Sequence, residues 1–126
     1  MKQLIFVVVL GYTLLGCPAL TAANADNVAH AQHAHIASPK HYSLLLENDD
    51  VYVLKMTLKP GEQDNWHKHN AETVYFENGG KATISAGKNK MTMEIPDGYV
   101  MWHDSWEHQV KNIGDTTITA IIVERK

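Results

Sequence analysis

The sequence has a single cysteine, Cys17, so no disulfide can form within the chain. It has no block of like charge. The formal net charge is −3 and both signs are scattered, which excludes the basic footprint that nucleic-acid binding needs. It has no long apolar run either. The stretch from Leu4 to Leu15 is broken by Gly11, Tyr12 and Thr13, and is too short to cross a hydrocarbon layer of about 30 Å comfortably as a helix. From residue 41 onward no segment sustains an apolar period of 3.6, which argues against a helical domain. No internal repeat is evident. What is present is one domain's worth of material: 126 residues, 44% of them hydrophobic.

Residues 1–25 have the layout of an export signal. Met1-Lys2 supplies a short positive start, and an apolar run and small residues follow. Two processing readings stay open. Ala23-Asn24-Ala25 is an A-x-A site that would release a soluble chain beginning at Asp26. Leu14-Leu15-Gly16-Cys17 resembles the lipobox of bacterial lipoproteins, which would place a lipid anchor on Cys17. Either way the chain is expected to be exported, periplasmic or secreted, and membrane-anchored as a lipoprotein if Cys17 is lipidated. Residues 26–40 show no apolar period and read as a flexible linker. His30, His33 and His35 could bind metal there, although adventitious affinity of a loose tether is the plainer reading.

Strand follows strand over 41–126, the expected domain. Tyr42–Glu47 and Val51–Leu58 flank a turn at Asn48-Asp49-Asp50. Trp66–His69 and Glu72–Glu77 follow, then Asn78-Gly79-Gly80, a hairpin-type turn signal. Lys81–Ser85 and Lys90–Ile95 are expected to pair, and Tyr99–His103, His108–Asn112 and Thr116–Glu124 complete the series. Short strands at this regular spacing predict an all-β sandwich or barrel.

The chemistry centres on His67-Lys68-His69. On a strand successive side chains alternate faces, so the two imidazoles share one side and lie about 7 Å apart along the strand. Two imidazoles and a carboxylate are a ligand set for divalent first-row metals. Gly61, five residues, His67-x-His69, then Glu72, six residues and Gly79 resemble the first motif of the cupin superfamily. The spacer before Glu72 has two residues where that motif has three or four. His108-Gln109-Val110-Lys111-Asn112 resembles the end of the second cupin motif. Pro96-x-Gly98 lies further upstream of His108 than the motif places it.

That resemblance covers roughly residues 50–124. It implies a single-domain jelly-roll barrel, preceded here by the signal peptide and short linker. It also implies one divalent transition metal ion (Mn, Fe, Zn, Ni or Cu) held by His67, His69, Glu72 and His108. Glu77 is the nearest substitute for Glu72. His103 reads as a rim histidine, with donation to a ligand or substrate as the alternative. Trp66, Trp102 and Trp106 flank the motif residues and could shape a pocket, although ordinary packing serves for any one of them.

The function implied is metal-dependent chemistry on a small organic molecule, of dioxygenase, isomerase or decarboxylase type, with Glu72 as a candidate proton acceptor. A non-catalytic module that holds a metal or small ligand is the alternative. Cupins often pair, so a homodimer is the oligomer the resemblance suggests.

Overall fold

A computed structural model describes residues 30–126. The signal-like run, both processing sites and Cys17 lie outside the described residues. The described residues form nine strands and one short helix, α1 (Ala34–Ala37). The strands are β1 (Tyr42–Glu47), β2 (Val51–Leu58), β3 (His67–His69), β4 (Glu72–Asn78), β5 (Gly80–Ala86), β6 (Asn89–Ile95), β7 (Val100–His103), β8 (Trp106–Asn112) and β9 (Ile118–Arg125). They pair antiparallel in two sheets, one ordered β1-β2-β9-β4-β7 and the other β3-β8-β5-β6. This is the expected all-β jelly roll.

Alternation builds the core. Leu54, Met56 and Leu58 of β2 point inward, as do Ile118, Ala120 and Ile122 of β9. They meet Ala82 and Ile84 of β5 and Val110 of β8 from the other sheet. Burying such side chains contributes about 1.5–3 kcal/mol each for the larger ones. The turn after β1 is fixed locally: Asn48 Oδ1 accepts the N–H groups of Asp50 and Val51, both at 2.9 Å.

Two expectations change. Asn78-Gly79-Gly80 does not close a hairpin. β4 pairs with β7 and β9, while β5 pairs with β6 and β8, so the segment carries the chain from one sheet to the other. Glycine is required there because a Cβ on Gly79 would collide with the carbonyl oxygen of Ile95. The part of the expected linker that is described, 30–40, is packed. Ala34 is fully buried, and Gln32 O accepts the N–H of Lys68 at 2.9 Å along the outer edge of β3. An exposed strand edge gains a partner this way.

The site follows from register. His67 of β3 lies directly opposite His108 of β8, and His69 lies opposite Trp106. In the facing sheet Glu72 of β4 sits between Glu124 of β9 and His103 of β7.

Candidate metal centre

His67 is fully buried, and His69 and His108 nearly so. The Nδ1 of His67 lies 2.7 Å from the carbonyl oxygen of Asn65, and a carbonyl only accepts, so Nδ1 carries the proton. The Nδ1 of His69 lies 2.9 Å from Glu124 Oε2 and donates to that carboxylate. Both rings therefore turn an unprotonated Nε2 toward the interior; the Tyr42 oxygen lies 3.4 Å from that of His67, but its hydroxyl proton is donated to Asp64. Those two Nε2 atoms are 3.1 Å apart. The His108 ring lies 4.5 Å from the His67 ring and 5.3 Å from the His69 ring, centroid to centroid. One nitrogen from each of the three histidines falls within 4.8 Å of the others.

Burial keeps the His67 and His108 rings neutral. It lowers the His67 pKa to about 4, with His69 adding to the effect. It lowers the His108 pKa to about 2, helped by His67, His69 and His103. At neutral pH both rings have lone pairs to give.

Glu72 is equally buried but belongs to a second group, with His69 and Glu124. Its Oε1 accepts the indole N–H of Trp106 at 2.9 Å. Its Oε2 is 3.2 Å from His69 Nδ1, but that N–H is engaged by Glu124, so Glu72 Oε2 is buried without a donor. Burial raises the Glu72 pKa. Burial also acts to raise that of Glu124, but hydrogen bonds from His69 and the Asn70 amide outweigh it and hold Glu124 below the usual range. The short spacer Asn70-Ala71 accounts for the placement of Glu72. β4 starts at Glu72 itself, in the opposite sheet from His67 and His108.

Of the three tryptophans, only Trp106 lines the interior. Its ring stacks on His103 at 3.7 Å on one side and lies 3.8 Å from the His108 ring on the other. Trp66 and Trp102 are 39% and 55% exposed. Alternation explains both: Trp66 is one step from inward His67, and Trp102 one step from His103. His103 is a rim residue whose Nδ1–H donates to Asp104 O at 2.6 Å. Glu77 takes no part; its carboxylate pairs with Lys55 at 3.2 Å on the outside. A cavity of about 40 Å³ opens between the sheets. Tyr42, His69, Glu72, Trp106 and His108 lie on its wall, and the rest is apolar, including Met56, Phe76, Ile84 and Met101.

No protein-family model matches the sequence, and no curated protein matches it. Solved structures do. A cupin domain from Bordetella pertussis superposes with a TM-score of 0.62 at 23% identity, over 68% of this chain and 91% of its own. An RmlC-like cupin with a double-stranded β-helix fold from Methanocaldococcus jannaschii gives 0.54 at 16% identity, over 67% and 77%. A double-stranded β-helix protein from Klebsiella pneumoniae gives 0.53 at 19%, over 66% and 73%. The chain has the cupin fold.

The donors in this cupin barrel fit a metal ion. Two lone pairs facing each other at 3.1 Å repel unless a proton or cation lies between them. Two nitrogens each about 2.1 Å from one ion would be about 3.0 Å apart at a right angle and about 3.4 Å apart at a tetrahedral one. The buried Nδ1 of His108 also lacks a partner. Imidazole donors suit Zn, Cu, Fe and Ni.

Three residues of this site, Glu124, Asp64 and Tyr42, carried no assigned role in the sequence, and a fourth, His33, carried a different one. Glu124 had a visible signal, a charge on the apolar face Ile118, Ala120, Ile122. Asp64 and Tyr42 had none. Asp64 accepts the Tyr42 hydroxyl at 2.8 Å and the Val110 N–H at 2.7 Å, and lies 3.7 Å from His67 Nδ1. His33, read as part of the tether, donates from Nδ1 to Glu124 Oε1 at 2.9 Å.

Proposed function

We propose that this chain is a metal-dependent cupin that binds one divalent transition metal ion through His67, His69 and His108 and acts on a small organic molecule. The observation that carries the reading is the pair of bare Nε2 atoms at 3.1 Å, each backed by a proton already committed on Nδ1. When bound, the ion supplies Lewis acidity toward an oxygen of the ligand.

The chain's own residues supply the rest. The apolar wall of the cavity takes a small hydrocarbon part of the ligand and excludes water from it. Glu72 accepts a proton at Oε2, which has no competing donor, and burial makes it a stronger base than a solvated carboxylate. Trp106 fixes the other oxygen of Glu72 and shields His108. The signal-like residues 1–25 support an exported protein.

Elemental analysis of the full chain and of its His67→Ala and His108→Ala variants tests the binding. About one ion per wild-type chain and almost none in either variant is the expected result. A wild-type chain that retains no ion after loading with Mn, Fe, Ni, Cu or Zn refutes the reading. The cavity of about 40 Å³, room for roughly three waters, favours a second reading, a module that holds its ligand without converting it. A loaded protein that consumes no oxygen and forms no product across a panel of small acids, diketones and sugars decides for that module.

A further inference from the structure

The segment ahead of the barrel touches the candidate centre at two places. At the first, His33 donates from Nδ1 to Glu124 Oε1 at 2.9 Å, while the other oxygen of the same carboxylate accepts His69 Nδ1–H at 2.9 Å. At the second, the Asn65 N–H donates to Ser38 Oγ at 2.6 Å and the Asn65 side-chain amide donates to Ala37 O at 2.7 Å. The carbonyl of that same Asn65 accepts His67 Nδ1–H at 2.7 Å. His67 and His69 are therefore each fixed from behind by a group that the 33–38 segment holds in turn.

The segment is seated firmly enough to do this. Ala34 and Ser38 are buried. His33 forms a parallel bridge with Lys68, the residue between the two histidines. The rings of His33 and His35 both pack on Tyr52, at 5.4 and 5.7 Å.

We propose that residues 33–38 form a clamp that orients His67 and His69 for metal binding, with His33 acting through Glu124 and Ser38 acting through Asn65 as positioning residues. The inference rests on the metal-binding reading above. Its physical basis is general: partners behind a ligating imidazole fix its tautomer and its aim, and losing one costs roughly 10- to 100-fold in metal affinity. His33 stands one step further back, so its removal costs less than removal of Glu124.

The test measures Zn(II) affinity of the full chain by competition with a chromophoric chelator, together with the urea midpoint of the metal-free protein. Glu124→Ala is expected to weaken affinity roughly 10- to 100-fold. His33→Ala and Ser38→Ala should each weaken it several-fold. His33→Gln, which keeps a donor for Glu124, should recover most of the loss and serves if His33→Ala does not fold. Because His33 works through Glu124, His33→Ala should cost nothing more in a Glu124→Ala background, whereas Ser38→Ala should still add its full effect.

Unchanged affinity in both His33→Ala and Ser38→Ala, with only the urea midpoint lowered, overturns the clamp. So does a His33→Ala loss that adds in full to that of Glu124→Ala. Failure of the wild-type chain to bind Zn(II) at all is a different outcome: it removes the metal-binding reading, and the clamp with it.

Discussion

Replacing Asp64 by Asn should stabilise the metal-free protein at pH 8 and at the same time weaken its hold on a cation. The Asp64 carboxyl is 1% exposed, and burial, opposed by its hydrogen bonds, raises its pKa from 3.8 to about 6. Between those values the unfolded chain has released a proton that the folded chain retains. Stability contributed by Asp64 is therefore complete below about pH 4 and is lost as pH rises through 6. Roughly two pKa units at 1.36 kcal/mol each make the loss about 3 kcal/mol at pH 8.

Asparagine has the same shape and no charge. Its Oδ1 can still accept from Val110 N–H, and its Nδ2 can donate to the Tyr42 oxygen, so both contacts survive. The variant should match wild type at pH 4 and exceed it by about 1–3 kcal/mol at pH 8. Urea unfolding of chelator-treated protein at pH 4, 6 and 8, followed by tryptophan fluorescence, measures this. Metal binding should move the other way. The anion lies 3.7 Å from His67 Nδ1 and strengthens that ring as a donor, so its loss should lower Zn(II) affinity roughly tenfold. A variant that is less stable at pH 8, or whose advantage is the same at pH 4, refutes the reasoning.

His108→Ala removes one of three converging nitrogens, and the metal content measured by elemental analysis should fall from about one ion per chain toward none. Asn112 is fully buried, and its side-chain amide donates to Leu58 O and Thr116 O, both at 2.8 Å. Asn112→Ala strands both carbonyls and should cost about 2–4 kcal/mol in urea unfolding without changing metal stoichiometry. Gly79→Ala drives a Cβ into the Ile95 carbonyl, which is backbone and cannot step aside. A loss of about 3 kcal/mol or more, read as a lowered thermal midpoint, is expected.

The strands were legible because composition and punctuation agree along this chain. Val51–Leu58 is rich in β-branched and aromatic residues and stops at Lys59-Pro60-Gly61, and it is a strand over those same residues. The Asn78-Gly79 turn was misread because the dipeptide reports backbone freedom. It does not report which sheet the next strand joins. The His67 and His69 pair was legible because a two-residue spacing on a strand fixes a shared face wherever β3 lies, whereas His108 was legible only through the resemblance of its segment to the second cupin motif. Glu72 was only half legible. Its burial follows from the pattern, but the group it joins is set by β4 pairing with β9, a contact between distant parts of the chain. His33 was hidden for the same reason. Nothing in an Ala- and His-containing segment without apolar period announces that it will lie along the edge of β3.

The position of β9 has a consequence for how the centre comes into being. This strand is last in sequence yet lies in the middle of its sheet, between β2 and β4. Until it inserts, the two halves of that sheet have no seam, and the carboxylate that aims His69 is absent. Such long-range closure is slow compared with local pairing. The β3–β8 pairing that sets His67 opposite His108 does not depend on β9, whereas the aim of His69 does. Insertion of β9 thus joins the halves of its sheet and, in the same step, supplies the acid that aims His69.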